Sequence, residues 1–442
     1  MGDYIESSHE SRDVYSEVGY MTNLSAVIYG LVTLRKLAME GNVNNSDILQ
    51  FPITLQKVSK FAAENEQALR DRMGEKFVGM QNSVTTMKQF MKSMVKKRGG
   101  SVLVDIRKNV SSGDGEGVVA LGDDTSQHQT VYGVVVDSVH RRVVVVFRGT
   151  AEIKDLIADL TFHMIKYDNP FEDFPAKKKH KLAVHCGFYS YLFETHTVKT
   201  VETNAMDGTE KVTTSTFTIF DKIFSSVIYH LKRNPGYKLF VTGHSMGGAL
   251  ATLFSFHVAA KRNEFVQDPV TCISVASPKV GETRFRKTFE WAEETGKLRH
   301  VRIFNKLDVV PMIPELPDLE MWASCCFLLV HHPAGRYRHT GVQIGLKSNE
   351  LEIYYPMLRN GLPRICRDLF GCTSKVLCLA GSVITTPFTG QITREHAAFL
   401  YAARIEKFSE ELRNYTIDDL YELRYSKERL VFKKKGDVEG NK

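Results

Sequence analysis

KLFVTGHSMGGALATLFSFHVAA, residues 238–260, decides the reading of this chain. Its first residues are an apolar, β-type run. From Met246 onward the segment is small and apolar at helical length. Between the two lies GHSMG, Gly243 to Gly247, followed by Gly248. A G-x-S-x-G turn between a strand and a helix is the context of a nucleophile elbow. The turn is so tight that its serine must adopt strained dihedrals, and small residues two before and two after it prevent collisions. Ser245 is thereby expected at the carboxyl end of a sheet, above a helix N-terminus that favours negative charge.

The surrounding sequence supplies the rest of such a sheet. TVYGVVVDS and RRVVVVFRGT, separated by a short polar turn, predict a hairpin whose second strand is buried on both faces. KLFVTG (238–243), CISVAS (272–277) and HVRIFN (300–305) predict further strands. Helical stretches at 218–233, 246–262 and 283–296 alternate with them. This alternation predicts an α/β fold with a mostly parallel sheet covered by helices. Upstream, Leu24, Val27, Ile28, Leu31, Leu34 and Ala38 predict a helix over 23–41, with Asn23 as N-cap and Gly41 as stop. Residues 54–73 and 82–97 also read as helices. Residues 195–216 read as an exposed polar loop, 312–392 as an irregular insert, and the last 35 residues as a charged helical tail. The expected division is a helical lead-in at 1–110, an α/β domain at 111–405 and a tail at 406–442.

Several blocks, in order, resemble the fungal-type class 3 lipases, a branch of the α/β-hydrolases. They are VVVVFRGT (143–150), IKDLIADLTF (153–162), VHCGFYSYL (184–192), GYKLFVTGHSMGGALA (236–251), SPKVGETRF (277–285) and FNKLDVVPMIP (304–314). The resemblance covers roughly 128–311 and resumes near 396. It implies the α/β-hydrolase fold and a serine esterase acting on lipid acyl esters, in the manner of a triacylglycerol lipase. Ser245 matches the nucleophile. Thr150 matches an oxyanion residue, and the N–H of Met246, which replaces the Leu common in the family, would be the second donor. Asp308 matches the triad acid, with Glu315 and Asp318 as fallbacks. For the base, four histidines follow Asp308: His331, His332, His339 and His396. His396, in TREHAAFLYAARI, resembles the family's catalytic histidine and fits the order Ser, Asp, His. His339 stands where the family carries a non-catalytic turn.

The segment 153–160 resembles the family's lid, with Ile153, Leu156, Ile157 and Leu160 on one helical face. KKKHK (177–181), with Arg359, Arg364 and Arg367, would suit peripheral contact with a membrane or lipid-droplet surface, or simply a solvated face. Cys325 and Cys326 read as acylation candidates or buried thiols. The alternative functions are a mono- or diacylglycerol lipase, a phospholipase A, a feruloyl-type esterase on soluble substrates, and a lipase-like regulatory protein without turnover.

Composition excludes other classes. With 442 residues, 43% hydrophobic and 25% charged, the chain is an ordinary globular one rather than disordered or collagenous. A net charge of +7 (58 basic against 51 acidic side chains) is mild at this length, and no nucleic-acid signature accompanies it. The 7 cysteines form neither a disulfide framework nor a zinc pattern, which suggests a reducing, intracellular setting. No dinucleotide fingerprint, P-loop or metal-ligand spacing appears, so neither cofactor nor metal is expected. The acidic N-terminus does not read as a secretory signal, and Glu6 stands where a myristoylation motif needs Ser or Thr. No apolar run reaches membrane-spanning length. The expected location is cytoplasmic or peripheral at a lipid surface. Oligomeric state is left open.

Overall fold

A computed structural model describes residues 12–41, 47–97, 117–123, 131–150, 163–175, 180–203, 210–261, 263–314, 337–356, 394–426 and 428–434. The lid segment 153–160, most of the basic run at 177–181, Glu315, Asp318, Cys325, Cys326, His331, His332, Arg359, Arg364 and Arg367 lie outside the described residues.

The chain begins with helices α1 (Val14–Met39), α2 (Leu55–Glu64), α3 (Glu66–Met73) and α4 (Glu75–Lys97). Strands β1 (Gly117–Gly122), β2 (Tyr132–Asp137), β3 (Arg142–Phe147), β4 (Met164–Tyr167) and β5 (Leu182–His185) follow, then α5 (Cys186–Phe193). After β6 (Thr195–Thr203) and β7 (Glu210–Thr218) come α6 (Ile219–Arg233), β8 (Lys238–His244), α7 (Met246–Ala260), β9 (Val270–Val275), α8 (Thr283–Glu294) and β10 (Leu298–Asn305). The chain then forms β11 (Val342–Leu346), β12 (Glu350–Tyr354), α9 (Ala398–Lys407), α10 (Ser409–Leu412), α11 (Ile417–Ser426) and β13 (Arg429–Lys433).

Nine strands make one sheet in the order β1-β2-β3-β8-β9-β10-β11-β12-β13. The centre, from β3 to β11, is parallel. Antiparallel strands close it at both edges. This is the mostly parallel, helix-covered sheet that the flanking runs predict, and the α/β-hydrolase type that the family resemblance implies. Strand periodicity divides it between two helical layers. Val144 and Val146 of β3 pack with α1, α2, α4 and the C-terminal helices. Val143, Val145 and Phe147 pack with α5 to α8. Among the described residues, no helix is long and apolar enough to cross a membrane.

Four expectations need correction. Helix α1 starts nine residues before Asn23. Its N-cap is Asp13, whose carboxylate accepts from Ser16 N at 2.8 Å. Asn23 lies in mid-helix and bonds back to Gly19 O at 2.8 Å, as Thr22 and Ser25 do to Val18 and Met21. A helix buried on nearly all sides satisfies its polar side chains on its own carbonyls, so a polar residue ahead of an apolar run resembles a cap. The stretch 195–216 is largely an antiparallel ribbon, β6 with β7, rather than a loop. The interval 312–392 is not wholly irregular, because β11 and β12 within it extend the main sheet. The charged tail is not all helix. Its β13 pairs with β12, and Arg429 and Lys433 lie beside Glu352 and Glu350.

Helix α1 is pinned to the sheet by buried charge. Arg142, 1% exposed, donates to Asp137 at 2.9 Å and also meets Glu17 of α1. Glu17 in turn accepts from Arg12 at 2.9 Å.

A second buried group gives the fold a pH dependence. Glu293 of α8 accepts from Tyr355 Oη at 2.6 Å and Tyr421 Oη at 2.7 Å. Burial pushes its carboxyl up to about 7, against the opposing effect of the two tyrosine hydrogen bonds. Folded-state proton affinity therefore exceeds that of the unfolded chain. The resulting stabilisation is complete below the ordinary carboxyl pKa of 4.5 and is lost as pH rises through about 7. The loss is on the order of 3 kcal/mol. Glu293→Gln should flatten the fall of unfolding temperature between pH 5 and 8. An unchanged slope in calorimetry would remove Glu293 as its source.

Candidate active site

Ser245 is the single residue between β8 and α7, the N-cap of α7, with φ 60° and ψ −130°, a conformation that non-glycine residues rarely adopt. Its N–H donates to Val275 O at 2.9 Å, and its carbonyl accepts from Gly248 N at 2.9 Å, which holds the turn. The flanking glycines are required by contact. A Cβ at Gly243 would lie 2.3 Å from Gly247 O, and one at Gly247 would lie 2.3 Å from Phe147 O. The GxSxG spacing is therefore the footprint of β3 and α7 crowding the end of β8.

Thr150 follows β3 beside this turn, and its Oγ1 lies 3.9 Å from Met246 Sδ. The two residues expected to supply oxyanion donors are thus in contact. Met246 is the first residue of α7, where backbone N–H groups lack intrahelical partners and the helix end carries partial positive charge.

Asp308 lies just after β10, buried at 2% exposure. Its Oδ1 accepts from Val310 N at 2.9 Å. Its Oδ2 accepts from Tyr401 Oη at 2.7 Å and lies 2.7 Å from His396 Nδ1. A carboxylate only accepts, so Nδ1 carries a proton, and in the neutral imidazole the lone pair is then on Nε2. His396 Nε2 is buried and has no hydrogen-bond partner among the described residues. His396 sits directly beside the elbow. Its ring centroid is 4.6 Å from that of His244, and its carbonyl oxygen is 2.7 Å from His244 Nε2.

Two residues absent from the sequence reading hold this arrangement. Tyr401 of α9 accepts from Asn305 N at 2.8 Å, which leaves its own proton for Asp308. Asn305, the last residue of β10, donates from Nδ2 to Glu395 O at 3.0 Å and so ties the segment bearing His396 to the sheet. Tyr401 lies five residues after His396 in the same quoted motif. That proximity was the available signal.

His339 occupies a different place. Its Nε2 lies 2.8 Å from Pro311 O. Burial, followed by the charge of Arg302, holds it well below the ordinary imidazole range. It is a neutral structural histidine, whereas the imidazole on Asp308 is that of His396. Among the described residues, no group of three or more His, Cys, Asp or Glu side chains could hold a metal ion.

This geometry offers a strained serine at a helix N-terminus and, next to it, a histidine oriented by a buried carboxylate. Residues 144–317 match the family described as Lipase (class 3). Phospholipase A1-II 3 of Oryza sativa subsp. indica is 28% identical over 188 residues, covering 41% of this chain and 40% of the relative. Phospholipase A1-IIgamma of Arabidopsis thaliana is 28% identical over 207 residues, covering 45% and 43%. The lipase of Rhizomucor miehei is 26% identical over 174 residues, covering 39% and 38%. The alignments thus span about 40% of the length of these relatives. Among solved structures, Rhizomucor miehei triacylglyceride lipase aligns with a TM-score of 0.37 and 22% identity, covering 53% of this chain and 68% of that one.

Proposed function

We propose that this chain, whose residues 144–317 match the class 3 lipase family, hydrolyses carboxylic acyl esters of lipids through an acyl-enzyme on Ser245. The observation that carries the proposal is the buried Asp308–His396 hydrogen bond, whose imidazole ring lies 4.6 Å from that of His244, the residue before the strained Ser245. Ser245 Oγ attacks the ester carbonyl carbon as its proton passes to His396 Nε2. The carbonyl electron pair moves onto oxygen, where the backbone N–H groups of Thr150 and Met246 stabilise it. The intermediate collapses, the carbon–oxygen bond to the alcohol breaks, and His396 returns the proton to the departing oxygen. Water then repeats the sequence on the acyl-enzyme and releases the fatty acid. Asp308 keeps the productive tautomer and stabilises the imidazolium.

The substrate is proposed to be a glyceride, triacylglycerol first. A phospholipase A1 reading is favoured by the rice and Arabidopsis relatives, whose names state that activity. Purified protein and a Ser245→Ala variant, given an emulsion of triacylglycerol and diacylglycerol with phospholipid vesicles, separate the two. Serine-dependent release of fatty acid with depletion of glyceride is the expected result. Depletion of phospholipid alone would replace the glyceride reading. No release from any lipid would overturn lipid hydrolysis.

A further inference from the structure

Tyr29 of α1 lies 215 residues from His244 in sequence and touches it in space. Helix α1 is outside the 144–317 family match. The Tyr29 hydroxyl oxygen accepts from Gly149 N at 2.9 Å. It lies 3.2 Å from His244 Nδ1 and makes a longer, 3.5 Å contact with His244 O. On the other side of the ring, His244 Nε2 lies 2.7 Å from the carbonyl oxygen of His396.

Donor counting fixes the direction of each bond. A backbone N–H can only donate, and a carbonyl oxygen can only accept. His244 therefore carries its proton on Nε2, directed at His396 O, and presents the Nδ1 lone pair to the Tyr29 hydroxyl proton. Burial, followed by the neighbouring His396, holds His244 well below the ordinary imidazole range, so it remains neutral in this tautomer. A single directed chain results, running from Gly149 N–H through Tyr29 and His244 to His396 O.

The contact at Gly149 is close enough to need glycine. A Cβ there would lie 2.4 Å from Tyr29 Oη, 2.6 Å from His244 O and 2.9 Å from Ser245 Cβ. Gly149 immediately precedes Thr150, the proposed oxyanion residue, and His244 immediately precedes Ser245. The chain therefore connects the backbones that carry three of the proposed reacting groups.

We propose that Tyr29 is a positioning residue for catalysis, setting the oxyanion loop and the backbone of His396 relative to Ser245 through one hydrogen-bonded chain. The proposal rests on the serine ester hydrolase reading above. It gives α1 a role that burial alone does not require, since a phenylalanine would fill the same space. Small displacements of reacting groups cost rate steeply, so loss of this hydroxyl should lower kcat by ~10–100-fold.

The test is Tyr29→Phe beside wild type and Ser245→Ala, on a soluble short-chain ester and with a fluorophosphonate probe. The expected result is a fall in kcat at unchanged KM. Probe labelling should slow by a similar factor, and unfolding temperature should shift by no more than a few degrees. A purely packing role for Tyr29 would leave kcat and labelling at wild-type values, and that outcome overturns the inference while leaving the ester hydrolase reading intact. A loss confined to KM overturns it as well. Absence of Ser245-dependent turnover in wild type overturns the parent reading and this one together. Should Tyr29→Phe not fold, His244→Asn cuts the same chain at its link to His396. It should show the same kcat-specific loss, and unchanged kcat there contradicts the proposal.

Discussion

Replacing Ser245 with Ala should lower kcat on an acyl ester by about 10⁶-fold, as removal of the nucleophile does in other serine hydrolases. The expectation follows from the division of labour at the elbow. The turn is held by backbone hydrogen bonds, Ser245 N to Val275 O and Gly248 N to Ser245 O, and alanine keeps both. Alanine also keeps a Cβ at φ 60°, so the strain of the turn is unchanged. Only the oxygen that would bond to the acyl group is lost. The variant should therefore unfold at nearly the wild-type temperature while turnover disappears. Steady-state kinetics with calorimetry checks both. Activity within tenfold of wild type would mean that another group attacks the ester.

Asp308→Asn should cost about 10⁴ in kcat, because the amide cannot satisfy the groups around it without disturbing the histidine. Three donors converge on the carboxylate: Val310 N–H on Oδ1, and Tyr401 Oη–H and His396 Nδ1–H on Oδ2. An asparagine has a single acceptor oxygen. With its amide nitrogen toward His396, the imidazole must present Nδ1 as acceptor and carry its proton on Nε2, where the base lone pair is needed. With the nitrogen toward Val310, two N–H groups face each other in a buried site, at a cost of about 1–3 kcal/mol. Catalysis suffers in the first case and stability in the second. Measurement of kcat alongside unfolding temperature distinguishes them. A near-wild-type rate with near-wild-type stability would exclude Asp308 as the acid.

The elbow was legible because it is local. One strand, one tight turn and one helix lie in 23 consecutive residues, and the first steric reason for a glycine there, the approach of Gly243 to Gly247 O, acts within that stretch. Asp308 and His396 stand 88 residues apart, and no periodicity connects them. Family resemblance pointed to them, and the structure brings their side chains together. Tyr29 carried no signal at all. Its partners Gly149 and His244 are 120 and 215 residues away, and a tyrosine in a buried helix reads as core. The edges of the sheet were missed for another reason. Strand β13 alternates exposed and half-buried positions and carries charge, as a protected edge strand does, so its composition resembles a solvated helix. The ribbon of β6 and β7 is rich in Thr and charged residues and has little apolar content to distinguish a strand from a polar loop.

Ser245 is the proposed activated nucleophile of this chain. Incubation of the folded protein with a fluorophosphonate, followed by intact-mass and peptide mass spectrometry, tests this assignment most directly. The expected result is one adduct per chain on Ser245, formed quickly in wild type, slowly in Asp308→Asn and not at all in Ser245→Ala. An unmodified wild-type protein, or an adduct on a different residue that persists in Ser245→Ala, would contradict it.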